Sequence, residues 1–384
     1  MTTNYGPSVI PSLEREFLVP DYYPRFQCKG ASCRNTCCSG WGVTIPRTQY
    51  YGLLGLDCEK GLRDRLDRAF RPVLDPTPER FAEIVPTFRG DCPLHREDGL
   101  CLLQATLGEE APPSVCRYYP RGPRLDPLAE CSCANSCEAT LELLFATPEP
   151  LRFSPRKLVF AMPMNPSRRP PRESEDYRRI RDFCFSLLED RTFPLPVRIL
   201  RVGKVLQALD ADPARPLSSE GLPVAAPEAD LPLAWGILLR ISRKLIANSR
   251  TLAEFGEEPG ADPGTEAVSG SHDAAERHFL SVLPDGEILF EKMLVNHLFF
   301  RQFPFRQYAE TLSDEFASLC GTYLFLRYLA LVMMRGRSAR SDFTDLSAKA
   351  FRFIAHSRFE RNVLVLLREE GVADYDSLSR LVAV

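Results

Sequence analysis

The chain has 384 residues, of which 44% are hydrophobic and 26% charged, a composition typical of a soluble globular protein. Its formal net charge of -3 provides no overall attraction to nucleic acid or to an anionic membrane. No apolar run approaches the roughly 18 residues that a membrane helix needs, and the first twenty residues carry no basic and apolar signal pattern. We therefore expect a cytoplasmic protein without a nucleic-acid or membrane partner, in which thiols stay reduced.

Cysteine dominates the first part of the chain, 1–145, because eleven of the thirteen cysteines lie between Cys28 and Cys137. The stretch "RFQCKGASCRNTCC" has four cysteines separated by four, three and zero residues. Between the cysteine blocks, 58–70 predicts a short helix, since Leu62, Leu66 and Phe70 are spaced four apart. This part of the chain is expected to mix short elements with irregular structure.

The remainder of the chain consists of two regions that differ in sequence pattern. Residues 146–175 are rich in proline and arginine and predict an extended connector, because proline removes a backbone donor and disfavours helix before it. From 176 to 384 the apolar residues recur at helical spacing, with Ser313 as a candidate N-cap. A polar Gly/Pro-rich segment at 254–276 predicts a mobile loop. The fold class expected is mostly α, with minor irregular or β content.

Metal binding explains the clustered cysteines better than disulfides or redox catalysis, because the compartment is reducing and thiolates are soft ligands for zinc and iron–sulfur clusters. The paired CxxC knuckles of structural zinc sites are absent, and so is the cysteine triad of radical S-adenosylmethionine enzymes. Adjacent Cys37 and Cys38 are expected to diverge, which favours a bridging role or two nearby metals over one shared ion.

Four ordered blocks carry a family resemblance: "YYPRFQCKGASCRNTCCSGWGVTI", "GDCPLHREDGLCLLQATLG", "SVCRYYPR" and "NSCE". They resemble the cysteine-cluster family named for its CxxCxxCC motif and, within it, the flagellin lysine-N-methylase branch. The resemblance implies an N-terminal module folded around an iron–sulfur cluster or zinc, joined to a helical domain. The ligands that it implies are Cys28, Cys33, Cys37, Cys38, Cys92, Cys101, Cys116 and Cys137. Glu138 stands where the family usually has proline, so Cys133 is an alternative to Cys137.

The same resemblance implies S-adenosylmethionine-dependent methylation of lysine side chains on flagellin or another surface-filament protein. The residues alone do not reveal a catalytic base or a cofactor-binding motif, since no glycine-rich turn of a doubly wound sheet is present. The alternative is a non-catalytic or redox metal–sulfur protein, and a weaker one is a zinc-stabilised adaptor.

Three smaller motifs have open interpretations. Trp41 is expected to pack over the metal loop. In "CRYYPR", Tyr118, Tyr119 and Arg121 either support the ligands or bind a carboxylate, or they form a turn fixed by Pro120 with Arg121 paired to an acid. His95 is expected at the surface rather than on a metal.

Overall fold

The computed structural model describes most of the chain as two compact units. The first unit contains the residues up to Leu125 together with Ala129–Cys133 and Phe153–Ser167, and the second contains the rest. The described residues are 12–40, 42–126, 128–162, 174–241, 243–244, 265–304 and 309–384. Trp41, part of the predicted connector (163–173), the first part of the predicted loop (254–264) and the His356 side chain lie outside the described residues.

The first unit is built on two small sheets. Their strands are β1 Leu13–Pro20, β2 Thr44–Ile45, β3 Phe70–Pro72, β4 Ala82–Ile84, β5 Arg121–Arg124, β6 Glu130–Cys133 and β7 Phe153–Phe160. One sheet has the order β5-β6-β1-β7 and the other β2-β4-β3. β1 pairs antiparallel with β7 along its whole length and parallel with β6 at Leu18 and Glu130. The predicted connector therefore contains a strand of this unit, because its extended backbone pairs with β1.

Short helices complete the first unit: α1 Arg47–Leu54, α2 Lys60–Ala69, α3 Leu102–Leu107 and α4 Ser114–Tyr118. The helix expected at 58–70 is confirmed, and its Leu62 and Leu66 are buried in an apolar cluster. Phe70 leaves the helix and begins β3, so it reaches the same cluster from a strand.

The second unit is helical, which confirms that the protein is mostly α. Its helices are α5 Glu138–Phe145, α6 Ser174–Leu188, α7 Leu195–Ala211, α8 Leu231–Ile241, α9 Thr265–Val282, α10 Gly286–Phe300, α11 Leu312–Tyr328, α12 Arg340–His356, α13 Phe359–Glu369 and α14 Tyr375–Val382. The loop expected at 254–276 is wrong from residue 265 onward, because α9 begins there. His272 and Glu276 pair one turn apart, and Arg327 of α11 binds Glu276 at 2.8 Å. Tertiary contacts thus stabilise a helix that the sequence pattern does not indicate.

Helix α11 forms the core of the second unit. Together with the π-helical turn Leu329–Met333 it is long and apolar enough to cross a bilayer, but 89% of its apolar window is buried inside the unit, as in the core helix of a soluble protein. Its N-cap is Thr311 rather than the expected Ser313. The Thr311 hydroxyl accepts a hydrogen bond from the Asp314 N–H, and Asp314 binds the Thr311 N–H in return. Ser313 instead donates its hydroxyl to Asp210 of α7 at 2.6 Å.

A charged cluster lies within this helical core. Glu291 of α10 is 1% exposed and binds Arg198 of α7 at 2.6 Å. Arg191 also donates to Glu291, with its Nε and Nη2 at 2.8 and 2.7 Å from the two carboxylate oxygens. Charges this deeply buried are tolerated when they are paired and hydrogen-bonded, and the two arginines compensate the buried charge of Glu291 in this way.

Candidate functional site

The cysteine loop at 28–38 lies along the loop that contains Cys92. The Cys92 N–H donates to the Cys38 carbonyl at 2.7 Å, and the Gly40 N–H donates to the Gly90 carbonyl at 3.2 Å. An isolated antiparallel bridge pairs Ser39 with Asp91 between these two bonds. Backbone pairing therefore places the first and second cysteine blocks side by side, although about fifty residues separate them in sequence.

The second block forms a tight hairpin that ends at Cys101. The His95 and Cys101 backbones pair, and the Leu102 N–H donates to the Leu94 carbonyl at 2.7 Å. Gly99 turns the hairpin at φ +82°, and a Cβ added there would lie 3.1 Å from the Ala31 Cα. Glycine thus meets two requirements, a left-handed backbone and a close approach to the first cysteine loop.

Cys92 and Cys101 are partly buried against the apolar cluster of the first unit. Burial raises the pKa of the Cys92 thiol to about 12 and also raises the pKa of the Cys101 thiol. Burial is likewise the main cause of the raised pKa of the Cys116 thiol on α4, to which the nearby Cys38, Cys92 and Cys101 sulfurs add. The three cysteine blocks therefore meet in one electrostatic environment.

Cys37 and Cys38 do not diverge, contrary to the expectation from their adjacency. A hydrogen bond between the two side chains holds the pKa of Cys38 at about 6 and raises that of Cys37. The Cys116 and Cys28 sulfurs raise the Cys37 pKa further. The backbone of Cys38 is held on both sides, since its N–H donates to the Thr36 hydroxyl at 3.2 Å and its carbonyl accepts the Cys92 N–H at 2.7 Å.

The remaining predicted ligands differ in their local surroundings. Cys33 is half-buried after the 3₁₀ turn Gly30–Ser32. Cys137 belongs to the second unit, where it precedes α5. Its proposed substitute Cys133 is fully buried in β6 of the first unit, and the Tyr22 hydroxyl bonds to both its backbone N–H and carbonyl. Electrostatic influences on the thiol pKa values thus link Cys28, Cys37, Cys38, Cys92, Cys101 and Cys116.

The donor chemistry of this group suits a soft metal, since six thiols in one neighbourhood are the ligands that zinc and iron–sulfur clusters take. All thirteen cysteines of the chain carry thiols rather than disulfides. Within the described ranges, no three His, Cys, Asp or Glu side chains are arranged to hold a metal ion. The residues fit a metal–sulfur group by chemistry and neighbourhood, and the eight-ligand set stays a prediction.

His95 contributes to this environment more than its sequence context indicates. A charge on His95 lowers the pKa of Cys38, and its buried Nε2 has no hydrogen-bond partner in the described part of the chain. Its backbone N–H donates to the Cys92 carbonyl at 2.9 Å. His95 is half-buried in the hairpin, where the expectation was a surface position. The only sequence signal was its place between Cys92 and Cys101.

The side chains of Arg117 and Tyr118 in the "CRYYPR" segment make structural contacts, whereas Arg121 does not pair in the same way. The Tyr119–Pro120 peptide bond is cis, and the Tyr118 hydroxyl accepts the Ala161 N–H at 2.8 Å. Arg117 pairs with Glu110 and donates to the Ala161 carbonyl at 2.9 Å. Pairing of Arg121 with an acid was one of the two open interpretations; in the described part of the chain no such pair is present, and Arg121 lies over the ring of Phe26.

The chain matches one protein family and several individual proteins. Residues 229–381, from just before α8 to α14, match the family described as the FliB lysine N-methylase C-terminal domain. A Lysine-N-methylase of Salmonella typhimurium is 32% identical over 106 residues, and one of Salmonella choleraesuis is 33% identical over 110 residues. The flagellar biosynthetic protein FliU of Salmonella muenchen is 30% identical over 106 residues.

These matches are partial. Each covers 27% of this chain, and they span 25% of either Lysine-N-methylase and 60% of FliU. The chain therefore matches about a quarter of the length of the first two relatives. No solved structure matches.

Proposed function

We propose, on the premise that the chain belongs to the FliB lysine N-methylase family, that it methylates lysine side chains on flagellin or a similar surface-filament protein. The methyl donor in this proposal is S-adenosylmethionine, and the reaction takes place in the cytoplasm before the filament protein is exported. The observation that carries the proposal is the family match across seven consecutive helices of the second unit.

The metal–sulfur group belongs to the proposal as well. Its ligands are drawn from the eight cysteines of the family resemblance, six of which share one neighbourhood in the first unit. An iron–sulfur cluster, 4Fe–4S in this proposal, or zinc would be held there by thiolates and would supply Lewis-acidic metal. Since metals bind thiolates, loading the site displaces protons from thiols that burial otherwise keeps protonated.

Methyl transfer places one further requirement on the chain. A lysine amine attacks only after it has lost its proton, so the enzyme needs a base or a dry pocket that lowers the lysine pKa. No residue is assigned to this task. The test of the proposal therefore rests on turnover and metal content rather than on a catalytic variant.

The experiment begins with anaerobic purification of the full chain and measurement of iron, sulfide and zinc. The protein is then incubated with S-adenosylmethionine and unmethylated flagellin, and mass spectrometry locates any added methyl groups. We expect methyl-lysine on flagellin, with iron and sulfide in matching amounts. Cys38→Ser should lower the metal content, whereas Cys58→Ser, which alters a cysteine outside the ligand set, should leave it unchanged.

The second candidate is a non-catalytic or redox metal–sulfur protein. The cysteines of the first unit favour it without any reference to the relatives. It predicts bound metal without any affinity for S-adenosylmethionine. Metal-loaded protein that neither binds this compound nor methylates flagellin would replace the methylase proposal with this one. Colourless protein with one zinc per chain would exclude the iron–sulfur cluster. The methylase proposal would then be tested by turnover alone.

A further inference from the structure

Arg121, the first residue of β5, has an unusual environment for an arginine. Its guanidinium carbon lies 4.8 Å from the centre of the Phe26 ring and 6.0 Å from that of Tyr23. The side chain is half-buried. No hydrogen bond or ion pair joins it to another side chain anywhere in the described ranges.

The neighbouring Arg117 shows what a structural arginine of this segment looks like. Its guanidinium stacks on Tyr118 at 4.8 Å, and its nitrogens bind the Glu110 carboxylate and the Ala161 carbonyl. Both the face and the edge of this guanidinium are therefore occupied. Arg121 has the stacking and lacks the acceptors.

Stacking involves only the face of a guanidinium and leaves its five N–H donors directed outward in the plane of the group. This fork matches a carboxylate, which it binds with two parallel hydrogen bonds. The rings of Phe26 and Tyr23 fix the orientation of the fork before a ligand arrives, so less entropy is lost on binding. The environment is that of a preformed carboxylate site.

Arg121 lies close in sequence to members of the cysteine group. It follows Cys116 by five residues, and Phe26 precedes Cys28 by two. We propose that Arg121 binds the α-carboxylate of S-adenosylmethionine beside the cysteine group of the first unit. This inference rests on the proposed function, since it assigns a residue to the methyl donor of that reaction.

The test compares two ligands that differ only in the carboxylate: S-adenosylmethionine and its decarboxylated form. Calorimetry on the metal-loaded full chain gives the Kd of each. We expect the intact chain to prefer S-adenosylmethionine by about tenfold or more, the value of one charged bidentate contact. Arg121→Gln should weaken S-adenosylmethionine by that factor and leave the decarboxylated form unchanged, and Arg121→Lys should fall between.

Arg89→Gln is the matched control, because Arg89 of the same unit also stacks on a ring, that of Phe88, at 5.4 Å. It should keep the full preference for the carboxylate. Iron content and thermal unfolding of each variant establish that the protein is loaded and folded.

Two results would overturn the assignment of Arg121. In the first, Arg121→Gln keeps the preference for the carboxylate. In the second, it weakens both ligands equally, as expected if the guanidinium only balanced the charge of the cysteine group. Both leave the proposed function intact if the unaltered chain still methylates flagellin. An unaltered, metal-loaded chain that binds neither ligand and transfers no methyl group would instead remove the proposed function and this inference with it.

Discussion

Glu189, which follows α6, is an acid whose surroundings oppose its ionisation. Burial and the negative charge of Glu291 raise its pKa to about 7, whereas Arg152 and Arg191 act in the opposite direction. Its carboxylate oxygen accepts the Leu151 N–H at 3.1 Å. Glu291, whose charge raises the pKa of Glu189, is itself paired with Arg191 and Arg198.

We expect the second unit to lose stability as the pH rises from about 5 to about 7. In this window the folded state holds a proton on Glu189 that the unfolded state, with a pKa near 4.5, has released. The contribution is therefore fully present below pH 4.5 and is lost as the pH passes the raised value. Urea unfolding at several pH values measures it.

Glu189→Gln isolates this effect, because glutamine keeps an oxygen for Leu151 and does not ionise. The variant should match the original chain near pH 5 and be more stable near pH 8. A stability difference that stays constant between these pH values would contradict the assignment of the raised pKa to Glu189.

Helices α11 and α13 pack at a point that admits no side chain on Gly321. A Cβ added there would lie 2.7 and 2.9 Å from the two γ-carbons of Val363, which is fully buried. Valine is branched at its β-carbon and cannot move its methyl groups aside. The close approach of these two helices therefore depends on glycine at this position.

Gly321→Ala should lower the free energy of unfolding by about 1–3 kcal/mol through overpacking, although alanine is the better helix former by about 1 kcal/mol. Gly236→Ala on α8 is the matched control. No heavy atom lies within 4 Å of a Cβ added there, so this variant should be equally stable or up to about 1 kcal/mol more stable. Equal effects of the two variants in urea unfolding would refute the packing argument.

Local sequence patterns predict some elements and fail for others, for physical reasons. Apolar spacing predicts α2 because Leu62 and Leu66 face a core within the same unit. It fails for α9, because this helix is stabilised by a polar contact with another helix, the ion pair between its Glu276 and Arg327 of α11. The N-cap of α11 was expected at Ser313, because a hydroxyl bound to Asp210 of a distant helix is indistinguishable in sequence from a capping one.

At the scale of the whole molecule, the sequence predicts the helical character of the protein, and its clustered cysteines indicate where a metal–sulfur site is expected. It does not predict which sulfurs meet. The pairing of Cys38 with Cys92 depends on backbone hydrogen bonds between distant loops. The unpaired state of Arg121 is equally invisible, because it is a property of surroundings and not of spacing.

Metal removal should affect the two units differently. The first unit consists of short elements around a small apolar cluster, so metal binding would contribute much of its folding free energy. We expect anaerobic chelation to speed amide exchange in 28–38 and 92–101, measured by mass spectrometry, and to leave the core helices α10 and α11 protected. Equal acceleration in both units, or none in either, would count against a metal held by these loops.

Segments of the two units alternate along the chain, which limits where the gene can be cut without disrupting a unit. Residues 134–152 belong to the second unit, but they lie between two strands of the first unit, β6 and β7. A recombination point between 134 and 152 would therefore split both units at once. The family match begins at 229, beyond α7, although α7 packs on α11 in the same core. A gene fragment cut at that boundary would encode α11 without a helix it is packed against, so the matched segment is not an exchangeable cassette.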